Sequence, residues 1–244
     1  MQINATDALG EGKISRLFWK LALPAIAAQV INLLYNLVDR MYIGHIPTEG
    51  KLALTGVGVC LPLIMIISAF ACLVSMGGAP RASIFLGKGD NKSAEKTLGN
   101  CTVLLVIISA ALTAVFLLFS KDMLLVFGAS GNTIGYAVDY MQVYAIGTVF
   151  VQLTLGLNAF ISAQGFSKTS MFTVLIGAVC NIILDPVFIF VFGMGVRGAA
   201  LATIISQCIS MIWTLRFLMS KRTTIRLKRE NLGLSAKVIL PCLA

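Results

Sequence analysis

The chain is 244 residues long, 58% hydrophobic and only 12% charged, with a mean hydropathy of +0.91. A soluble domain carries roughly 25% charged residues, so this composition excludes a water-soluble globule, and long apolar runs without period-2 alternation exclude a membrane β-barrel. The net charge of +9 does not indicate a nucleic-acid partner, because the basic residues lie between apolar runs and form no compact patch.

The composition predicts an all-α fold, a polytopic bundle of six transmembrane helices, each needing about 20 residues to cross a hydrocarbon core of roughly 30 Å. Residues 1–17 read as a cytoplasmic segment. The first span runs from about Phe18 to Ile46 and holds Pro24, which removes one backbone hydrogen bond and permits a bend. Gln29, Asn32, Asn36 and Asp39 follow at steps of three and four, which puts them on one helix face. A polar stripe avoids lipid, so it faces other helices or a water-filled cavity. Arg40 points about 100° away from Asp39 round the helix, a poor position for pairing. The second span runs from about Leu52 to Gly77. Beyond it, Gly87-Lys88-Gly89-Asp90 matches the GxGD pattern of intramembrane aspartyl proteases. Asp90, however, stands among lysines in a hydrophilic connection and reads as a turn and a helix cap.

The third span covers about Leu98 to Phe119 and the fourth about Thr133 to Ala163. The fourth carries an interfacial Asp139, then Tyr140, Tyr144 and Thr148 on one face, with Gln152 and Asn158 beyond. These polar groups suit helix–helix hydrogen bonding or a cavity wall equally. The fifth span, about Ser170 to Phe192, holds Asn181 and Asp185 four residues apart. The sixth, about Gly198 to Met219, has Thr203 near its start. Residues 18–220 thus form one six-helix lobe, and 221–244 a basic cytoplasmic linker running into the start of a seventh helix. None of the six cysteines forms a CxxC pair. Fifteen of the nineteen Lys and Arg fall on one side of this topology, so the positive-inside rule places the N-terminus and the linker in the cytoplasm.

Asp39 lies 19 residues beyond Lys20, and Asp185 lies 17 beyond Lys168. At about 1.5 Å per residue both carboxylates sit roughly 25–29 Å above the inner basic boundary, and Thr203 is at a compatible height. Two carboxylates at one depth, with amide and hydroxyl oxygens nearby, suit a proton or a hard cation.

The ordered set Leu23-Pro24-Ala25, Asn36-Leu37-Val38-Asp39-Arg40-Met41-Tyr42-Ile43-Gly44, Gly77-Gly78-Ala79, Ala163-Gln164-Gly165-Phe166-Ser167-Lys168, Asn181-Ile182-Ile183-Leu184-Asp185-Pro186 and Gly195-Val196-Arg197-Gly198 resembles the MATE (multidrug and toxic compound extrusion) transporters. The resemblance implies one lobe of a twelve-helix fold in the bacterial cytoplasmic membrane. It implies export of organic, often cationic, drugs by an antiporter driven by Na⁺ or H⁺, with no other cofactor and no enzyme activity. It places the coupling-ion site, including Na⁺ as metal if sodium is used, on Asp39, Asn181, Asp185 and Thr203. Tyr140 and Asn158 match cavity-lining positions, joined by Asn36 and Gln29 from the polar stripe, and Pro24 matches the bending proline. The family is about twice as long, so this chain is expected to be an N-terminal half that does not transport without its C-terminal lobe. A lipid-linked sugar flippase of the same superfamily is the alternative. It would be expected to carry several basic residues in its cavity spans, where this chain has almost none.

Overall fold

The computed structural model describes residues 14–47 and 49–243. The segment read as a cytoplasmic N-terminus therefore lies mostly outside the described residues. The helices are α1 (Ile14–Gly44), α2 (Gly50–Val59), α3 (Leu61–Gly87), α4 (Asn91–Val126), α5 (Ile134–Ile146), α6 (Thr148–Ala163), α7 (Ser167–Pro186), α8 (Gly195–Met219) and α9 (Ala236–Leu243), with a π-helical turn at Val187–Val191. Among the described residues five helices or collinear helix pairs are long and apolar enough to cross a bilayer. The pair α5–α6 makes a sixth span when taken as one. The fold is an all-α, multi-spanning bundle.

Most boundaries lie outside those the charges suggested. The second span reaches Gly87 and takes in Arg81, and α4 starts at Asn91 and runs to Val126. A helix need not stop where the hydrocarbon does. Its backbone is self-satisfied, and charged side chains can project from turns that stand clear of the apolar layer. α2 and α3 meet at Cys60, where Pro62 sits in the first turn of α3 and deprives the helix of no needed donor.

Pro24 and Gly147 mark different places in the bundle. α1 passes through the buried Pro24 without a break. The sharp bend, 59°, falls in the fourth span at Gly147, between α5 and α6. A side chain at Gly147 would place its Cβ 2.2 Å from Cγ2 of Ile204 on α8, so only glycine allows this approach. The carbonyl of Ala145 beside the break accepts a 2.9 Å hydrogen bond from the Thr113 hydroxyl, which meets the need of a backbone group exposed by the bend.

α1 packs chiefly along α7, α3 packs against α4 and α6, and α8 packs against α5, α6 and α7. The core has two parts. One, around Leu63, Ile67, Phe116 and Met141, lies toward the α1–α2 connection. The other, around Leu98, Leu105, Leu157 and Phe160, lies toward the basic end.

The basic linker is pinned to the lobe. The buried Gln164 side chain accepts hydrogen bonds from the Thr223 hydroxyl and from the Ile225 amide, the latter at 2.8 Å. Glu95, buried on α4, accepts from the Arg226 amide and pairs with Lys228 Nζ at 2.7 Å. The Asn100 side chain accepts from the Ser235 amide at 2.6 Å. α9 then lies so close to α3 that a Cβ at Gly77 would fall 1.6 Å from the Cys242 carbonyl oxygen. Composition marked this segment as solvated and basic. The three buried acceptors that hold it lie on α4 and in the turn after α6, far apart in the chain, where no local pattern reveals them.

Candidate ion and substrate site

Asp39 comes from the last two turns of α1, and Asn181 and Asp185 from the last turns of α7. Thr203 comes from the third turn of α8, and all but Thr203 are buried. α1 and α7 pack side by side, which brings the Asp39 and Asp185 carboxyl groups within hydrogen-bonding reach of each other. Asn181 Nδ2 donates to Asp185 Oδ1 at 3.0 Å and to Thr203 Oγ1 at 3.4 Å. Thr203 in turn donates to the Ala199 carbonyl at 3.0 Å, which orients its lone pairs toward the group.

The tally of donors is short. Asp39 Oδ1, Asp185 Oδ2 and Asn181 Oδ1 are buried and accept no hydrogen bond from any described donor. A buried carboxylate without donors is costly, and two facing carboxylates repel unless a proton or cation lies between them. The donor set is wholly oxygen, with two carboxylates, an amide and a hydroxyl, and this chemistry fits H⁺ or a hard monovalent ion. Among the described residues no three His, Cys, Asp or Glu side chains come together, so nothing here resembles a transition-metal cage.

The other expected residues divide. Tyr140 is buried and stacks on Tyr144 with ring centroids 5.9 Å apart, but it is not part of the cavity wall that holds Asn158. Asn158 lines a cavity between α1, α6, α7 and α8, where its Nδ2 donates to the Ser170 carbonyl at 3.3 Å. Gln29 and Asn36 are exposed on α1 and do not line that cavity. Asn36 bonds back to Asn32, which does. The stripe therefore straddles the edge of the lobe, because a helix packed on one neighbour buries less than its full polar face.

Sequence reading missed much of the cavity wall: Tyr35, Thr154, Thr173, Ser206, Gln207 and Ser210. The signal was present. Ser206, Gln207 and Ser210 follow Thr203 at three, four and seven residues, and Thr173 precedes Asn181 by eight. The cavity holds about 60 Å³, room for a few waters and well short of the roughly 300 Å³ that a drug-sized ligand needs. No Lys, Arg or His lines it. Asp139 pairs with Arg197 at 2.8 Å, with both side chains exposed. Asp90 caps α4 by accepting from the Ser93 amide at 3.0 Å, and the Ser93 hydrogen bonds hold its carboxyl below the usual carboxylate range.

The chain is similar to several known transporters. Multidrug export protein MepA of Staphylococcus haemolyticus is 26% identical over 88% of this chain and 47% of its own length. Probable multidrug resistance protein NorM of Thermotoga maritima is 28% identical over 86% of this chain and 45% of its own. An FAD transporter of Shewanella oneidensis is 26% identical over 81% and 44%. The chain thus spans about half the length of the curated relatives it matches. A crystal structure of MATE in the bent conformation superposes with a TM-score of 0.89 at 24% identity, over all of this chain and 54% of that one. A MOP superfamily transporter from Pyrococcus furiosus, described as having a binding pocket of reversed polarity, gives the same TM-score at 24% identity over 53% of its chain. The family model MatE matches residues 24–187, the stretch from the α1 proline through both carboxylates, and the chain belongs to that family of MATE transporters.

Proposed function

We propose that this chain is the N-terminal lobe of a cation-coupled multidrug antiporter of the bacterial cytoplasmic membrane, with its N-terminus in the cytoplasm. Na⁺ or H⁺ binds in it at Asp39, Asn181, Asp185 and Thr203. The observation that carries the reading is the facing Asp39–Asp185 pair with three buried, donor-poor oxygens around it. A bound cation links α1 to α7. α1 is the least buried of the candidate spans among the described residues, with Leu23, Ile26, Leu33 and Leu37 all exposed. Pro24 removes one hydrogen bond from α1 at the position where a change in that linkage would bend it. Residues 18–220 act as one half of an alternating-access pair whose other half is the C-terminal lobe.

The buried carboxylates Asp39 and Asp185 suit an organic cation as substrate. An anionic substrate, such as the one named for the Shewanella relative, or a lipid-linked sugar, calls for basic residues, and the small cavity beside them has none. The protease reading has no support, because Asp90 is an exposed helix cap at the α3–α4 turn, away from the buried carboxylates.

The deciding experiment is drug efflux by the intact transporter in vesicles, under imposed Na⁺ or pH gradients, with and without Asp39→Asn. One of the two gradients should drive efflux in the native protein and fail to do so in the variant. Equal gradient response in both would refute the ion site.

A further inference from the structure

The basic end of α8 carries an open recess that the transport reading does not use. Trp213, Arg216, Phe217, Ser220 and Arg222 line an open recess of about 270 Å³. A shallower one, walled by Ile212, Leu215 and Met219, shares Arg216 and Ser220 with it. The walls are apolar, and the polar groups gather at one end, where α8 stops and the chain turns at Ser220. Ile209, Ile212, Trp213, Arg216 and Met219 fall on one exposed face at helical spacing. Neither arginine has a carboxylate partner among the described residues, whereas Lys228 nearby in sequence has two. α9 and the pinned linker lie against α3 and α4 and leave this face open.

We propose that this is a binding site for one anionic phospholipid, with Arg216, Arg222 and the Ser220 hydroxyl at its phosphate and Trp213 and the Ile212–Met219 face along its acyl chains. The chemistry is complementary along the whole ligand. An indole belongs at the headgroup level, arginine matches phosphate with paired donors, and apolar wall continues outward along α8 where the lipid tail runs. Basic residues next to a span attract anionic lipid, each contributing roughly a fivefold preference.

The test uses the intact transporter in nanodiscs, in a version whose only tryptophan is Trp213, with brominated lipids as quenchers. Brominated phosphatidylglycerol should quench Trp213 at a mole fraction at least fivefold lower than brominated phosphatidylcholine. R216Q/R222Q should bring the two lipids to parity, while K51Q at the opposite end should leave the preference intact. R216K/R222K, which keeps the charge, should retain most of it and checks that loss in the glutamine variant is not misfolding. Four outcomes would overturn the site. They are no quenching by either lipid (the face is covered by the rest of the transporter), equal quenching in the native protein, an undiminished preference in R216Q/R222Q, and relief of the preference by millimolar inorganic phosphate, which would indicate a free-anion site.

Discussion

Asp39 on α1 and Asp185 at the end of α7 meet carboxyl to carboxyl, and each leaves one buried oxygen without a donor. Asn181 is the one side-chain donor hydrogen-bonded to Asp185, at 3.0 Å, among the described residues.

That geometry makes Asn181 a positioning residue whose loss affects ion binding more than folding. Asn181→Ala should weaken the apparent affinity for the coupling ion by roughly five- to tenfold, the loss of one charge-assisted hydrogen bond. It should leave the maximal efflux rate at saturating ion within about twofold. An unchanged ion dependence of efflux would remove Asn181 from the site.

Gln164 presents one carbonyl oxygen to both the Thr223 hydroxyl and the Ile225 amide. Gln164→Ala strands a buried backbone donor, at a cost of about 1–3 kcal/mol. A lower melting temperature of the purified protein, and faster amide exchange confined to residues 221–235, are expected. Exchange unchanged in that stretch would mean the linker is held by something else.

α9 packs so closely on α3 that a Cβ at Gly77 cannot share space with the Cys242 carbonyl. Cys242 is buried in the native fold, so its thiol should react slowly with a maleimide. Gly77→Val should displace α9 and speed that labelling several-fold, read by peptide mapping. Unchanged labelling would show that α9 is held against α3 by other contacts.

Asp90 supplies the pH-dependent case. Its carboxyl accepts from Ser93 in the fold, so its folded pKa lies below that of the unfolded chain. The capping contribution is therefore fully present above the unfolded value, about 3.9, and is lost as pH falls through the lower folded one. Asp90→Ala should lower thermal stability at pH 7. The gap between variant and native protein should close in acid. A gap that persists below pH 2 would show that the cap acts by other means.

The sequence by itself determined the all-α, multi-spanning class, the order of the spans, and which polar residues share a helix face. Those properties are local. Span length follows from the thickness of the hydrocarbon layer, and polar stripes follow from the 3.6-residue period. The polar stripe of α8 from Thr203 to Ser210 is equally legible, but a hydroxyl in a span so often bonds its own helix, as Thr203 does to Ala199, that spacing alone does not show which of them line a cavity. Only the tertiary structure decided that Asp39 faces Asp185, that Gln29 and Asn36 lie on the lobe's outer edge, that the sharp bend falls at Gly147 and that the linker is anchored on Glu95, Asn100 and Gln164. Each depends on how far one helix is rotated against another. That rotation is set by close contacts between residues distant in the chain, such as Gly147 with Ile204 and Gly77 with Cys242, and no periodicity within a single span records it.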